Sequence, residues 1–309
     1  MVGTITLNPC IDKTLTINGF TYGGMNRVEK KRADVSGKGV NVSIALNQIG
    51  SNVRTFGINY KDGEEVLNRE LGMFGITYEG VVAQGTLREN MKVYDIESNL
   101  TTELNQKGDY IDEKKLDEFT KYLEIAMKDI DILVVTGSVP QGVPMDYYYQ
   151  IIQIAHEKGV CCILDAEGEL MLEGMKANPY LIKPNLYEFE SAFGLKTKKI
   201  EDILEICHRI IANGVEVVCL SMGEDGAIIV NSKEAYRCQP TSIDVKSTQG
   251  AGDSLVAGMC MAIEEGLGIR DMLRYGVATA QGSLIREGTQ LCRKEDFQHF
   301  KETITVEKL

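Results

Sequence analysis

The chain has 309 residues, 43% of them hydrophobic and 25% charged, a globular composition that excludes disordered, collagen-like and low-complexity classes. With 33 basic and 45 acidic residues the formal charge is −12, so the general surface repels phosphate, and a nucleic-acid or anionic-membrane binder is excluded. Any phosphate ligand must be held by a local device.

In chain order, Val2 to Leu7 predicts a first strand. Thr14 to Phe20 alternates Leu15 and Ile17 with polar residues and predicts an antiparallel β piece. Ser36 to Asn41 is glycine-rich and opens an amphipathic helix over 41–49, with Gly50 as its stop. This element is not a Walker A loop, because Gly39 follows Lys38 and no glycine stands at the required spacing before it. No G-x-G-x-x-G follows the first strand, which removes the main support for a nicotinamide dinucleotide. Asn90 to Leu104 reads as two short strands around Ser98-Asn99.

Strands are next predicted over Ile132 to Val135, Val160 to Leu164, Tyr180 to Ile182, Val215 to Leu220 and Ala227 to Val230, with helices over 145–158, 252–265 and 269–285. Such alternation predicts one α/β domain over 1–309, with a mainly parallel central sheet and helices on both faces. The two odd β stretches, 11–34 and 88–105, are too small to bury a core of their own. They predict a small β-lid over one edge of the sheet, or else edge strands of it.

The longest apolar run, Leu255 to Ile263, is far short of the ~20 residues a bilayer span needs, so no membrane segment is expected. The first dozen residues lack the basic and apolar regions of a signal peptide, and the expected location is cytoplasmic. Eight cysteines without a Cys-x-x-Cys are expected to be reduced and buried. The three histidines have no metal spacing.

Ligands of an open parallel sheet sit outside the carboxyl ends of its strands. Thr136-Gly137-Ser138, Asp165 to Gly168, Lys183 to Glu188 and Ser221-Met222-Gly223 therefore gather on one rim. The strongest local signal is Ser247 to Ser254, which runs straight into the apolar helix. Gly250 and Gly252 leave backbone N–H groups bare at the positive end of that helix, an anion hole. Asp253 beside it either balances the helix dipole or accepts the proton of an attacking hydroxyl. The earlier glycine element adds bare backbone and one cation, Lys38, suited to a polyol and a phosphate.

Gly37 to Val42 and Gly250 to Ser254, in that order, closely resemble the two signatures of the ribokinase-like phosphofructokinase-B family of sugar kinases. Thr6 to Asp12, Asn26-Arg27-Val28, Thr136 to Gly142 and Leu181 to Asn185 resemble its hexose-monophosphate branch, which holds 1-phosphofructokinase and tagatose-6-phosphate kinase. The resemblance runs from Thr4 to about Phe297. It implies that Asp253 is the general base and that Gly250, Ala251 and Gly252 form the anion hole. Asp12, Gly37 and Asn41 would hydrogen-bond the sugar, and Lys38 and Arg88, helped by Arg27, would meet its phosphate. Asn185 and Glu188 would arrange Mg²⁺ through water, and Lys183, Ser221 and Gly223 would line the ATP side. Ser36, Tyr60 and Leu87 depart from the branch's pattern near the sugar pocket.

The implied reaction is ATP-dependent phosphorylation of a ketohexose monophosphate. Fructose 1-phosphate, giving fructose 1,6-bisphosphate, is the first choice; tagatose 6-phosphate and fructose 6-phosphate are the alternatives. A sugar-phosphate sensor that keeps the fold without catalysis is the alternative of another class. A monovalent cation and a homodimer through the lid are compatible with the resemblance, and the sequence itself is silent on both.

Overall fold

The computed structural model describes residues 1–194 and 199–309. Strand β1 (Val2–Thr6) leads to β2 (Cys10–Ile17) and β3 (Val28–Ser36), and helix α1 (Lys38–Ile49) follows at once. Then come β4 (Val53–Asp62), α2 (Glu64–Gly72), β5 (Tyr78–Thr86), β6 (Arg88–Asp95) and β7 (Leu100–Leu104). The middle of the chain forms α3 (Glu113–Ala126), β8 (Ile132–Thr136), α4 (Tyr147–Glu157), β9 (Cys161–Asp165), α5 (Gly168–Met175), β10 (Leu181–Ile182), α6 (Leu186–Phe193) and α7 (Ile200–Ala212). The last part forms β11 (Val217–Ser221), β12 (Ala227–Val230), β13 (Ala235–Cys238), α8 (Ala251–Glu264), α9 (Ile269–Leu284), α10 (Lys294–Thr303) and β14 (Val306–Lys308).

Among the described residues ten strands make one sheet in the order β14-β13-β12-β11-β10-β9-β8-β1-β4-β5. From β11 to β5 every neighbouring pair is parallel, and β12, β13 and β14 add an antiparallel edge. The parallel strands are buried on both faces, so successive side chains feed two separate cores. In β8, Ile132 and Val134 enter the core under α1, α2, α8, α9 and α10, whereas Leu133 and Val135 enter the core under α3 to α7. Helix α1 lies close on β1 because Gly39 has no side chain: a Cβ there would strike the Ile5 carbonyl oxygen. Among the described residues no helix is long and apolar enough to cross a membrane.

A second sheet, β3-β2-β6-β7, stands apart from the first. Its β2–β3 and β6–β7 pairs are antiparallel, and β2 and β6 run parallel, which joins the two stretches into one layer. Strand β2 begins at Cys10, four residues before the alternating Thr14 to Phe20 run, because Cys10, Ile11 and Asp12 are buried. Asn99 takes a positive φ of 56° at the turn between β6 and β7. Side chains alternate across this sheet. Asp12, Asn90, Lys92 and Glu103 line the cavity beneath it. Met91 and Leu104 form a directly opposed pair on the other face, 42% and 57% exposed.

Candidate active site

Helix α8 starts at Gly250, whose φ of 70° is left-handed, and no side chain caps it. Its first intrahelical bond runs from Ser254 N to Gly250 O at 2.8 Å, so the amides of Gly252 and Asp253 have no intrahelical acceptor and project toward the positive end of the dipole. Lys183 stands over this entrance: a Cβ on Gly252 would lie 3.7 Å from its Nζ. Asp253 is buried, and Asn41 Nδ2 donates to its Oδ2 at 2.8 Å. Burial, and next the negative charge of Asp165, push the Asp253 carboxyl up to about 6, against the pull of Lys38, the Asn41 hydrogen bond and Lys183.

A cavity of about 770 Å³ opens from Asp253 and Gly250 toward the second sheet and is lined by Asp12, Lys38, Asn41 and Arg88 among others. Asp12 lies on β2 and is 3% exposed. Lys92 Nζ pairs with its Oδ2 at 2.9 Å, and Asn90 Nδ2 donates to Oδ1 at 3.0 Å. Burial raises its pKa, but Lys92 and the hydrogen bonds from Lys92, Asn90 and Ser36 outweigh burial and hold the carboxyl below its ordinary value. Arg88 is fixed by its own backbone surroundings: Nη2 donates to Asn8 O at 2.8 Å and Nη1 to Gln106 O at 3.0 Å. Gly37, with φ 127°, turns the chain from β3 into α1; a Cβ there would press on Thr6 Cγ2 at 2.8 Å.

Beside the cavity, carboxylates and lysines from the ends of β3, β9 and β10 meet. Lys38 Nζ lies 2.8 Å from Glu167 Oε1, 3.9 Å from Asp165 Oδ1 and 4.0 Å from Glu188 Oε1. Burial opposes its charge, but Asp165, Glu167 and Asp253 raise its pKa far above the ordinary lysine value. Among the described residues Asp165 Oδ1 is buried without a hydrogen-bond donor and is held by ion pairs, to Lys183 Nζ at 3.2 Å and to Lys38. Asn185 and Glu188 close a reciprocal cap on α6: Glu188 N donates to Asn185 Oδ1 and Asn185 N to Glu188 Oε2, each at 2.8 Å. Glu188 Oε1 is left facing Lys38, and burial raises the Glu188 pKa despite the cap and both lysines. A bridge between Asn185 and Ser221 carries the β10–β11 pairing to this rim, with Gly223 next to it.

Of the residues the sequence singles out, Asp12, Gly37, Lys38, Asn41, Arg88, Gly250 and Asp253 border one cavity, and Gly252, Lys183, Asn185 and Glu188 adjoin its Asp253 end. Ala251 opens α8 as its first helical residue. Arg27 is not brought in: it is exposed on the loop between β2 and β3 and does not border the cavity. Lys38 shares the cavity with Arg88, but its ammonium is turned to the carboxylates. Ser36 borders the cavity, Tyr60 is fully buried, and Leu87 borders a smaller neighbouring pocket. Sequence reasoning missed Asn90 and Lys92 as holders of Asp12, and Glu167 as the partner of Lys38. Polar residues at every second place, Asn90, Lys92 and Tyr94, are the signal that could have shown which face of β6 looks inward.

An amide-lined helix entrance, a buried carboxylate with a raised pKa and two lysines at the strand ends, facing a polar cavity under a separate β sheet, define a sugar-phosphorylating enzyme of the ribokinase-like fold. The pfkB family carbohydrate kinase model matches residues 5–296, and the chain belongs to that family: it is an ATP-dependent sugar kinase. It is 31% identical over 309 residues to a 1-phosphofructokinase of Rhodobacter capsulatus, covering all of this chain and 98% of the relative. A 1-phosphofructokinase of Escherichia coli is 30% identical, over 90% of this chain and 89% of its own length. Among solved structures, phosphofructokinase-2 from Escherichia coli in complex with potassium superposes with a TM-score of 0.91 at 26% identity, covering 98% of both chains. Ribokinase from Thermotoga maritima, at 19% identity and a TM-score of 0.80 over 97% of this chain and 99% of its own, shares the fold.

Proposed function

We propose that the chain transfers the γ-phosphoryl group of ATP to fructose 1-phosphate, giving fructose 1,6-bisphosphate and ADP. The observation that carries this reading is the single cavity joining Asp253 and the α8 amides at one end to Asp12 and Arg88 at the other. In our reading Asp12, held charged by Lys92, accepts hydrogen bonds from sugar hydroxyls together with Asn41 and the Gly37 backbone. Arg88 meets the phosphate already on the sugar. The free hydroxyl loses its proton to Asp253 as its oxygen bonds to the γ-phosphorus; the bond from that phosphorus to the β-phosphate oxygen breaks, and ADP leaves. The amides of Gly252 and Asp253, with Lys38 and Lys183, face the charge that spreads over the moving group. The β2-β3-β6-β7 sheet acts as a lid that keeps water from the γ-phosphoryl group.

The donor set fits Mg²⁺ that keeps most of its water: Glu188 Oε1 and the donor-free Asp165 Oδ1 both lie within 4.0 Å of Lys38 Nζ, and Asn185 stands beside them. When bound with the nucleotide, that ion supplies positive charge to the phosphate oxygens. A monovalent cation is supported by the potassium complex of the Escherichia coli relative. A homodimer through the lid is supported by the exposed Met91–Leu104 pair, and a cytoplasmic location by eight free cysteines. The relatives named 1-phosphofructokinase favour fructose 1-phosphate over the other ketohexose phosphates.

ADP release measured with fructose 1-phosphate, tagatose 6-phosphate, fructose 6-phosphate and plain fructose tests the reading. The highest kcat/KM is expected with fructose 1-phosphate. A higher value with plain fructose overturns the role of Arg88, and no ADP release with any sugar phosphate identifies a sensor.

A further inference from the structure

Arg32, on β3 of the lid sheet, reaches the large sheet's side of the site. Its Nε donates to Asp34 Oδ2 at 2.7 Å, and its Nη1 lies 3.7 Å from Glu287 Oε2. The guanidinium is seated on Gly288, where a Cβ would overlap its Nη2, and Gly288 has a left-handed φ of 56°. Both features need glycine. Beyond this point the chain continues to Thr289, buried in the cavity wall, and to Leu291, fully buried behind the anion hole. A Cβ on Gly250 would lie 2.5 Å from Leu291 Cδ2. On the lid side, Asp34 stands directly opposite Asp12 in the β2–β3 register. A cation thus sits between the strand pair that carries the sugar-binding acid and the turn that backs the phosphoryl-binding amides. The neighbouring Lys30–Glu287 pair, at 3.6 Å with both side chains well exposed, adds little of its own.

We propose that Arg32 is a positioning residue for phosphoryl transfer: by clamping the 287–291 turn to the lid, it makes the seating of Leu291 behind Gly250 depend on the lid being down over the sugar phosphate. The inference rests on the function proposed above. It explains why Gly288 is free of a side chain and why a partly buried arginine with two carboxylate partners stands outside the cavity it serves. Aiming donors at a reacting group is sensitive to small displacements, and a misplacement of about 1 Å can cost about a hundredfold in rate.

The test uses the full chain with Arg32→Ala, Arg32→Lys, Gly288→Ala and the double variant Arg32→Ala/Gly288→Ala, with a thermal melt of each to certify folding. Arg32→Ala is expected to lower kcat with fructose 1-phosphate by about 10- to 100-fold, with KM for the sugar phosphate moving less than about threefold. Gly288→Ala shifts kcat the same way, the double variant is no slower than the slower single one because both remove one contact, and Arg32→Lys recovers part of the rate. An unchanged kcat, a rise in KM alone, or losses that multiply in the double variant overturn the proposal. Hydrogen exchange of the 286–292 amides reads the clamp without turnover: faster exchange in Arg32→Ala than in the unsubstituted chain supports it, and equal rates overturn it. Absence of turnover in the unsubstituted chain on every ketohexose phosphate would defeat the proposed function while leaving the exchange result to judge the clamp.

Discussion

As the proposed base, Asp253 would have two conflicting requirements: it must be buried to meet the reacting hydroxyl away from water, and it must be ionised to take a proton. Burial and the nearby Asp165 raise its pKa to about 6, and Lys38, Asn41 and Lys183 keep it from rising further. A raised pKa means that the protonated, inactive form accumulates as pH falls through about 6. The pH profile of kcat/KM should therefore be level at neutral pH and fall tenfold per unit below about 6. A profile that stays level down to pH 5 contradicts Asp253 as the base. Asn41→Ala removes a hydrogen bond to the ionised form, so its acid limb should move to higher pH, with a rise in sugar KM as well. Asp253 was legible because it lies three residues from Gly250 in one segment. The Lys38–Glu167 pair was not, because its members are 129 positions apart and meet only when β9 delivers Glu167 beside the start of α1.

At the scale of elements, the two glycines at the α8 entrance have different reasons to be there. Gly250 is left-handed and packed against Leu291, so Gly250→Ala is expected to cost stability, by about 1–2 kcal/mol for the backbone alone, together with activity. Gly252 lies inside the first turn, where an added methyl would be in ordinary contact with Lys183. Gly252→Ala should therefore leave stability near normal and lower kcat by narrowing the phosphoryl site. Denaturant titration and steady-state kinetics on the two variants separate these effects; equal stability losses would contradict the packing difference. The strands that sequence periodicity revealed are the apolar ones of the central sheet, such as Ile132 to Val135. Strand β3 falls within the expected lid stretch 11–34 but shows no periodicity of its own, because VEKKRADVS is mostly exposed and charged, as suits the edge of a thin sheet with little core to specify it. The parallel pairing of β2 with β6 was hidden, since alternation reveals which face is buried but not which strand lies alongside.

At the scale of the molecule, the lid has a polar face over the cavity and an outer face that exposes the apolar Met91–Leu104 pair, and exposed apolar surface of that kind calls for a cover. A second copy of the chain, lid against lid, is the cover we propose. Sedimentation at micromolar concentration should show a dimer, and Met91→Arg with Leu104→Arg should yield monomers; a monomeric unsubstituted chain contradicts this. The rest of the molecule brings carboxyl ends of parallel strands, the α8 amides and the lid to one cavity, and the chemistry we propose converges on a single proton acceptor. Steady-state ADP release by Asp253→Ala with ATP and fructose 1-phosphate, alongside binding of a nonhydrolysable ATP analogue, tests that convergence most directly. The account predicts turnover lower by at least about 10²- to 10⁴-fold with analogue affinity within about threefold of the unsubstituted chain; near-normal turnover would contradict it.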